Sequence, residues 1–188
     1  PPSQRPSVRV VPRGRSGRPV GGWAHLLSVA GSMLWYRRPS FATRAPVGIL
    51  LGRTNELIVR RQIDYVASRG VPWGISESAY KARDKELTYQ YSNFGIPGLG
   101  LKRGLAENAV IAPYATALAA MVDPSSALAN FARLTSIGGR GRYGFYEAID
   151  FTPARLPDGQ KQAVVRAYMA HPQGMSVVAL ANALLAGN

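Results

Sequence analysis

The 188-residue chain contains no cysteine, which excludes disulfides and thiolate metal sites. It has two histidines, His25 and His171, a poor basis for a zinc centre or a histidine-dependent triad. No apolar run reaches the roughly 18–20 residues that a membrane span needs. The longest, MSVVALANALLAG, is short and interrupted by Ser176 and Asn182. The N-terminus has no apolar core of a secretion signal. Acidic residues are scarce, ten against 23 basic ones, and the first is Glu56. What remains is an ordinary apolar fraction of 46%, enough for one domain with a core.

The net charge of +13 invites a nucleic-acid reading, but nine arginines precede Glu56 and account for most of it. Residues 1–22, including RPSVRVVPRGRSGRP, are rich in Pro, Gly and Arg with almost nothing to bury. They read as a disordered tail, which would bind polyanions weakly and in a salt-dependent way. A basic nucleic-acid-binding protein is therefore the least favoured reading, and no specific nucleic-acid partner is expected.

Within residues 23–188 the punctuation suggests helices. GWAHLLSVAGSMLWY fits a buried helix or a strand, and RRPSFATRAPVGILLG, broken by two prolines and two glycines, reads as loop. Thr54 is placed as the cap of TNELIVRRQIDYVASRG, with Gly70 ending it. APYATALAAMV follows, then a helix with Asp123 as N-cap and Pro124 at N1, its apolar face formed by Ala127, Leu128, Phe131 and Leu134. QAVVRAYMAH reads as helical, Pro172 as a break or kink, and GMSVVALANALLAG as a last helix. No run shows convincing period-2 alternation. The expected class is all-α, with paired helices and long ordered loops such as SNFGIPGLGLKRG.

The chemistry-bearing residues collect in those loops. Glu77, in WGISESAY, is a carboxylate framed by serines and aromatic residues. Glycosidic-bond chemistry uses two carboxylates flanking the anomeric carbon, and the acid needs surroundings that keep it protonated. Trp73, Tyr80, Tyr89 and Tyr91 can supply such walls and stack on sugar faces. The competing reading makes Ser76 a helix cap and Glu77 part of its first turn. Glu147, in RYGFYEAIDF, is the second candidate, between Tyr143 and Tyr146 on one side and an apolar run on the other. Helix-start chemistry or a buried salt bridge explains it equally well. Asp84 belongs to a charged run, a solvated face or a sugar-hydroxyl contact. His171 and Gln173 can reach a polar substrate, or His171 can serve a helix C-terminus. The glycines of GIPGLGLKRG match neither a dinucleotide fingerprint nor a phosphate loop.

Together WGISESAY, YQYSNFGIPGLGLKRGL, VIAPYATALAAMVDP, GRYGFYEAIDFTPARLP and VVRAYMAH-QGMS, in this order, closely resemble the glycoamylase-like segment of cyclic β-1,2-glucan synthases. With GSM, RAP and TNELIVRRQIDY the match covers about residues 24–186. The resemblance implies a C-terminal part of an (α/α)6 toroid over residues 23–188. The parent would be a large enzyme of the bacterial inner membrane, acting on its cytoplasmic side. Its toroid would close linear β-1,2-glucan into rings by retaining transglycosylation, without metal or organic cofactor. The partners implied are β-1,2-glucan and the other domains of the synthase.

By motif, the resemblance makes Glu77 one catalytic carboxylate and puts its partner upstream of GSM, where this chain has only the Arg/Pro tail. Glu147 is then the fallback partner. Trp73, Tyr80, Tyr89, Tyr91, Tyr114, Tyr143 and Tyr146 are expected to contact glucose, and Asp84, Asn93, Arg103, His171 and Gln173 its hydroxyls. Two departures stand out. Pro172 replaces the second histidine of MAHHQGM, and GSMLWYRRP replaces GSMFEYLMP. Activity is not expected of the isolated chain, and a non-catalytic β-glucan-binding remnant is the alternative.

Overall fold

In the computed structural model, residues 50–185 are described, with side chains from residue 54 onward. The basic tail and GWAHLLSVAGSMLWY lie outside the described residues. Helix α1, Leu50–Ala67, buries Ile58, Gln62 and Val66, a four-residue spacing that sets one face against the core. It begins earlier than expected, so Thr54 lies inside it, buried, and not at its cap. Gly70 follows the helix in the left-handed region at φ 65°.

The chain then turns to strands. β1, Ser78–Arg83, and β2, Tyr89–Ser92, form an antiparallel hairpin. β3, Val110–Ile111, pairs with β6, Ala148–Asp150, which pairs in turn with β7, Ala163–Val165. β4, Arg140–Gly141, and β5, Gly144–Phe145, make a second short hairpin. The expectation of an all-α, partial (α/α)6 toroid is thus overturned: among the described residues four helices share the fold with three small antiparallel sheets. Two- and three-residue strands are too short to show a period of two. β1 buries its first two residues consecutively, which erases the alternation that would have betrayed it.

QAVVRAYMAH likewise holds β7, and only its last two residues are helical. Ala163 and Val165 are buried, and the three residues pair with Asp150, Ile149 and Ala148. The paired valines favour a pleated, packed surface.

Three helices complete the body. All seven residues of α2, Pro113–Ala119, are buried. α3, Pro124–Ser136, starts where expected, with Asp123 accepting from Ser126 N–H at 3.0 Å. Its inner face is Ala127, Asn130 and Leu134, whereas Leu128 is 72% exposed and so is not the core residue its spacing suggested. α4 runs Ala170–Leu185 and packs on α2. Pro172 neither breaks nor kinks it. It falls in the first turn, where its missing N–H would have no intrahelical partner anyway. The core joins Ile75, Val110, Ile111, Leu118, Leu134, Ile149 and Val165, all fully buried. Each such side chain contributes roughly 1.5–3 kcal/mol of burial.

Candidate active site

The segment leading to Glu77 is extended and held from both sides. Gly74 C=O accepts from Ala112 N–H at 2.9 Å, and Ile75 bridges Ile111, so residues 74–75 continue the central sheet past β3. On the other side no strand is present among the described residues, and side chains take its place. Gln62 of α1 accepts from Ile75 N–H at 3.0 Å and donates to Ile75 C=O at 2.9 Å. Asn130 of α3 accepts from Trp73 N–H at 3.2 Å and donates to Trp73 C=O at 2.9 Å. The Tyr114 hydroxyl donates to Glu77 C=O at 2.9 Å and lies 2.8 Å from Ser76 Oγ. Gly74 is needed here: its φ is +116°, and a Cβ would meet Ala112 O at 3.3 Å. Ser76 is therefore no helix cap, and Glu77 ends an extended segment.

Glu77 is half-buried and accepts from the Tyr91 hydroxyl at 3.3 Å. Glu147 is 1% exposed. Its Oε1 accepts from Ala79 N–H at 3.4 Å, and its Oε2 is buried with no hydrogen-bond partner. No cation pairs with it among the described salt bridges, so the salt-bridge reading is set aside. Burial raises its pKa from 4.5 to about 7, against a smaller opposing pull from the Ala79 amide. Burial, then Glu77, then Glu147 push the Tyr91 phenol well up, so it stays a neutral donor. Burial also raises Tyr114, and Glu77 and Glu147 add to the rise. Both carboxylates thus lie within electrostatic reach of the same two phenols.

Glu147 also lines a cavity of about 510 Å³ between α2, α3, α4 and the β4–β5 hairpin. Tyr114, Phe131, Phe145, Tyr146 and Gln173 share its wall. Gln173 donates to Phe145 C=O at 3.0 Å. Beside the mouth stands an aromatic cluster: Tyr146 stacks on Tyr168 at 5.2 Å, and Tyr143, 73% exposed, meets Tyr168 edge-on at 5.8 Å.

Other sequence candidates fall elsewhere. Trp73 is buried in the core at 6% exposure, so its ring offers no open face for a sugar. Tyr114 is 4% exposed with its hydroxyl engaged, which makes it a wall of the site. Asp84 closes the β1–β2 turn by accepting from Thr88 N–H at 2.8 Å. Tyr80 donates to Gln90 at 2.7 Å and packs edge-on against Phe94. Tyr89 accepts from Arg83 at 3.0 Å, under the same guanidinium. Asn93 and Arg103 line a separate cavity of about 150 Å³, and His171 is exposed on the first turn of α4. The structure brings together Glu77, Tyr91, Tyr114, Glu147, Tyr146 and Gln173, and leaves Asp84, Tyr89, Asn93 and Arg103 outside that group.

Sequence reasoning missed Gln62, Asn130 and Tyr168. Tyr168 was hidden inside a run read as helix. The two amides leave no spacing signal, being 13 and 57 residues from the backbone they bind. Among the described residues no cluster of His, Asp and Glu is arranged to hold a metal ion, and no helix is long and apolar enough to cross a membrane.

A family model described as "Putative glucoamylase" matches residues 54–187. Over 174 residues, 93% of the chain, the sequence is 56% identical to cyclic beta-(1,2)-glucan synthase NdvB of Rhizobium meliloti (strain 1021), and it spans 6% of that relative's length. The fold is similar to an endo-beta-1,2-glucanase from Chitinophaga pinensis, at TM-score 0.54 and 19% identity, over 82% of this chain and 36% of that one. It is also similar to a "putative glucoamylase" from Bacteroides fragilis NCTC 9343, at TM-score 0.55 and 22% identity, over 90% of this chain and 37% of that one.

Proposed function

The chain belongs to the glycoamylase family, and on that premise we propose that it forms part of the catalytic groove of a larger cyclic β-1,2-glucan synthase. In this reading Glu77 and Glu147 are the carboxylate pair of a retaining transglycosylation on linear β-1,2-glucan. The single observation that carries it is Glu147. A buried carboxyl with one unanswered oxygen, a pKa near 7 and a place on a cavity wall is costly to keep for stability alone. The likeness in sequence to a cyclic β-1,2-glucan synthase supports the substrate class.

A carboxyl that holds its proton near neutrality suits general acid catalysis. Glu147 gives that proton to the glycosidic oxygen as the bond to the anomeric carbon breaks. Glu77 attacks the same carbon and forms a glucosyl ester, releasing the downstream glucan. A 2-hydroxyl at the far end of the bound chain then attacks the anomeric carbon of that ester, breaking its bond to Glu77, and returns its proton to Glu147. The ring closes, Glu77 leaves as a carboxylate, and no water is consumed. The Tyr91 phenol, a neutral donor to Glu77, orients the attacking oxygen. The exposed tyrosines beside the cavity mouth offer stacking faces for glucose.

The test uses the larger synthase that carries this segment. Glu77→Ala and Glu147→Ala should each abolish cyclisation while linear glucan is still made. Azide should then rescue Glu77→Ala with an α-glucosyl azide and Glu147→Ala with a β-glucosyl azide. Full cyclisation by either variant without azide would overturn the pairing, and the opposite stereochemistry would exchange the two roles.

A further inference from the structure

Backbone polar groups of residues 73, 75 and 77 find no neighbouring strand among the described residues to pair with. Where a neighbouring strand would stand, three buried side chains from three elements answer them. Gln62 of α1 takes both groups of Ile75, Asn130 of α3 takes both groups of Trp73, and Tyr114 of α2 takes the carbonyl of Glu77. Asn130 is further fixed by donating to Thr116 Oγ1 at 2.8 Å. Gln62 is fully buried and Asn130 is 3% exposed, neither lines the cavity, and burying amides costs stability unless every group is paired.

We propose that Gln62, Asn130 and Tyr114 are positioning residues, a side-chain clamp that sets the place of Glu77 and, two residues on, aims the Ala79 amide at Glu147. This rests on the reading of Glu77 and Glu147 as the catalytic pair. Gln62 and Asn130 act on the segment's backbone, and the Tyr114 hydroxyl adds Ser76 Oγ to the Glu77 carbonyl, so together they hold the segment's register without a hydrogen bond to either carboxylate. Ala79 N–H is the link to the second carboxyl, at 3.4 Å from its Oε1. Arg140 and Tyr146 line the same cavity as Glu147, and Glu77 acts with Glu147 on the Tyr91 and Tyr114 phenols. Both phenols stay neutral over the range in which Glu147 titrates.

The experiment follows the titration of Glu147 by carbon-13 NMR in the 188-residue chain, with side-chain carboxyl labelling of glutamate. Gln62→Met fills the same space without hydrogen bonds, and Tyr114→Phe removes only the hydroxyl. Leu134→Ala is the control, a core change on α3 that removes none of the clamp's hydrogen bonds. Loosening the clamp withdraws the Ala79 amide, so the Glu147 midpoint should rise by about 0.7 pH unit in Gln62→Met and Tyr114→Phe. It should stay in place in Leu134→Ala, whatever that variant loses in melting temperature. Gln62→Glu, whose protonated form keeps both bonds to Ile75, should restore the wild-type midpoint below its own titration. An unmoved midpoint in folded Tyr114→Phe overturns the proposal, even if Gln62→Met does not fold. So does an equal rise in Leu134→Ala. Because the readout needs no glucan, it stands apart from the tests of catalysis.

Discussion

The amide of Ala79 donates to the carboxyl of Glu147 at 3.4 Å, joining two residues 68 positions apart. That bond is the one hydrogen bond the Glu147 carboxyl makes among the described residues, and several consequences can be measured.

Glu147 makes the fold sensitive to alkali. Its folded pKa, about 7, lies above the usual 4.5, so its neutral form is favoured by folding. This contribution is complete below pH 4.5 and is lost as pH rises through 7, about 3 kcal/mol at most. Glu147→Gln should therefore be more stable than wild type at pH 8 and similar at pH 4. Urea unfolding at both values checks this.

The half-buried Arg155 and the fully buried Asp150 form a two-pronged ion pair at 2.7 and 3.0 Å. Asp150 also accepts from Thr152 and Lys81 amides, which ties β1 to β6. Removing one partner strands a charge in the interior. Arg155→Ala should cost about 3–5 kcal/mol in denaturant unfolding, more than Asp150→Asn.

Asp123 caps α3, and the hydroxyl and amide of Ser126, then the Ser125 hydroxyl, hold its carboxyl below the usual range. Asp123→Ala should lose about 1 kcal/mol, and Asp123→Asn much less. The difference is readable in melting curves.

Gly139 lies against Leu134 and Ile149 so closely that a Cβ would stand 2.7 Å from the Leu134 carbonyl oxygen. Since that neighbour is backbone, Gly139→Ala should destabilise by about 1–3 kcal/mol. Gly138→Ala meets no atom and should be limited to its φ of 82°.

The sequence disclosed residues whose chemistry is visible in type and frame. Glu77 announced itself as a lone acid among serines and rings, and Glu147 as an acid in an aromatic run. The Asp123-Pro124 step located a helix start because capping is local. The strands escaped because Val110–Ile111 and Gly144–Phe145 are too short for a period. Trp73 looked like a sugar platform because aromatic type does not reveal burial. Asp84 looked free because its hydrogen bond to Thr88 is made only once the hairpin exists. Gln62 and Asn130 stayed silent because their partners are distant in the chain.

The backbone around Glu77 owes its course to amides that belong to helices elsewhere. Transplanting WGISESAY into a foreign scaffold would therefore move the letters and leave the coordinates behind. Any minimal fragment meant to keep that course must carry α1 and α3 along with it.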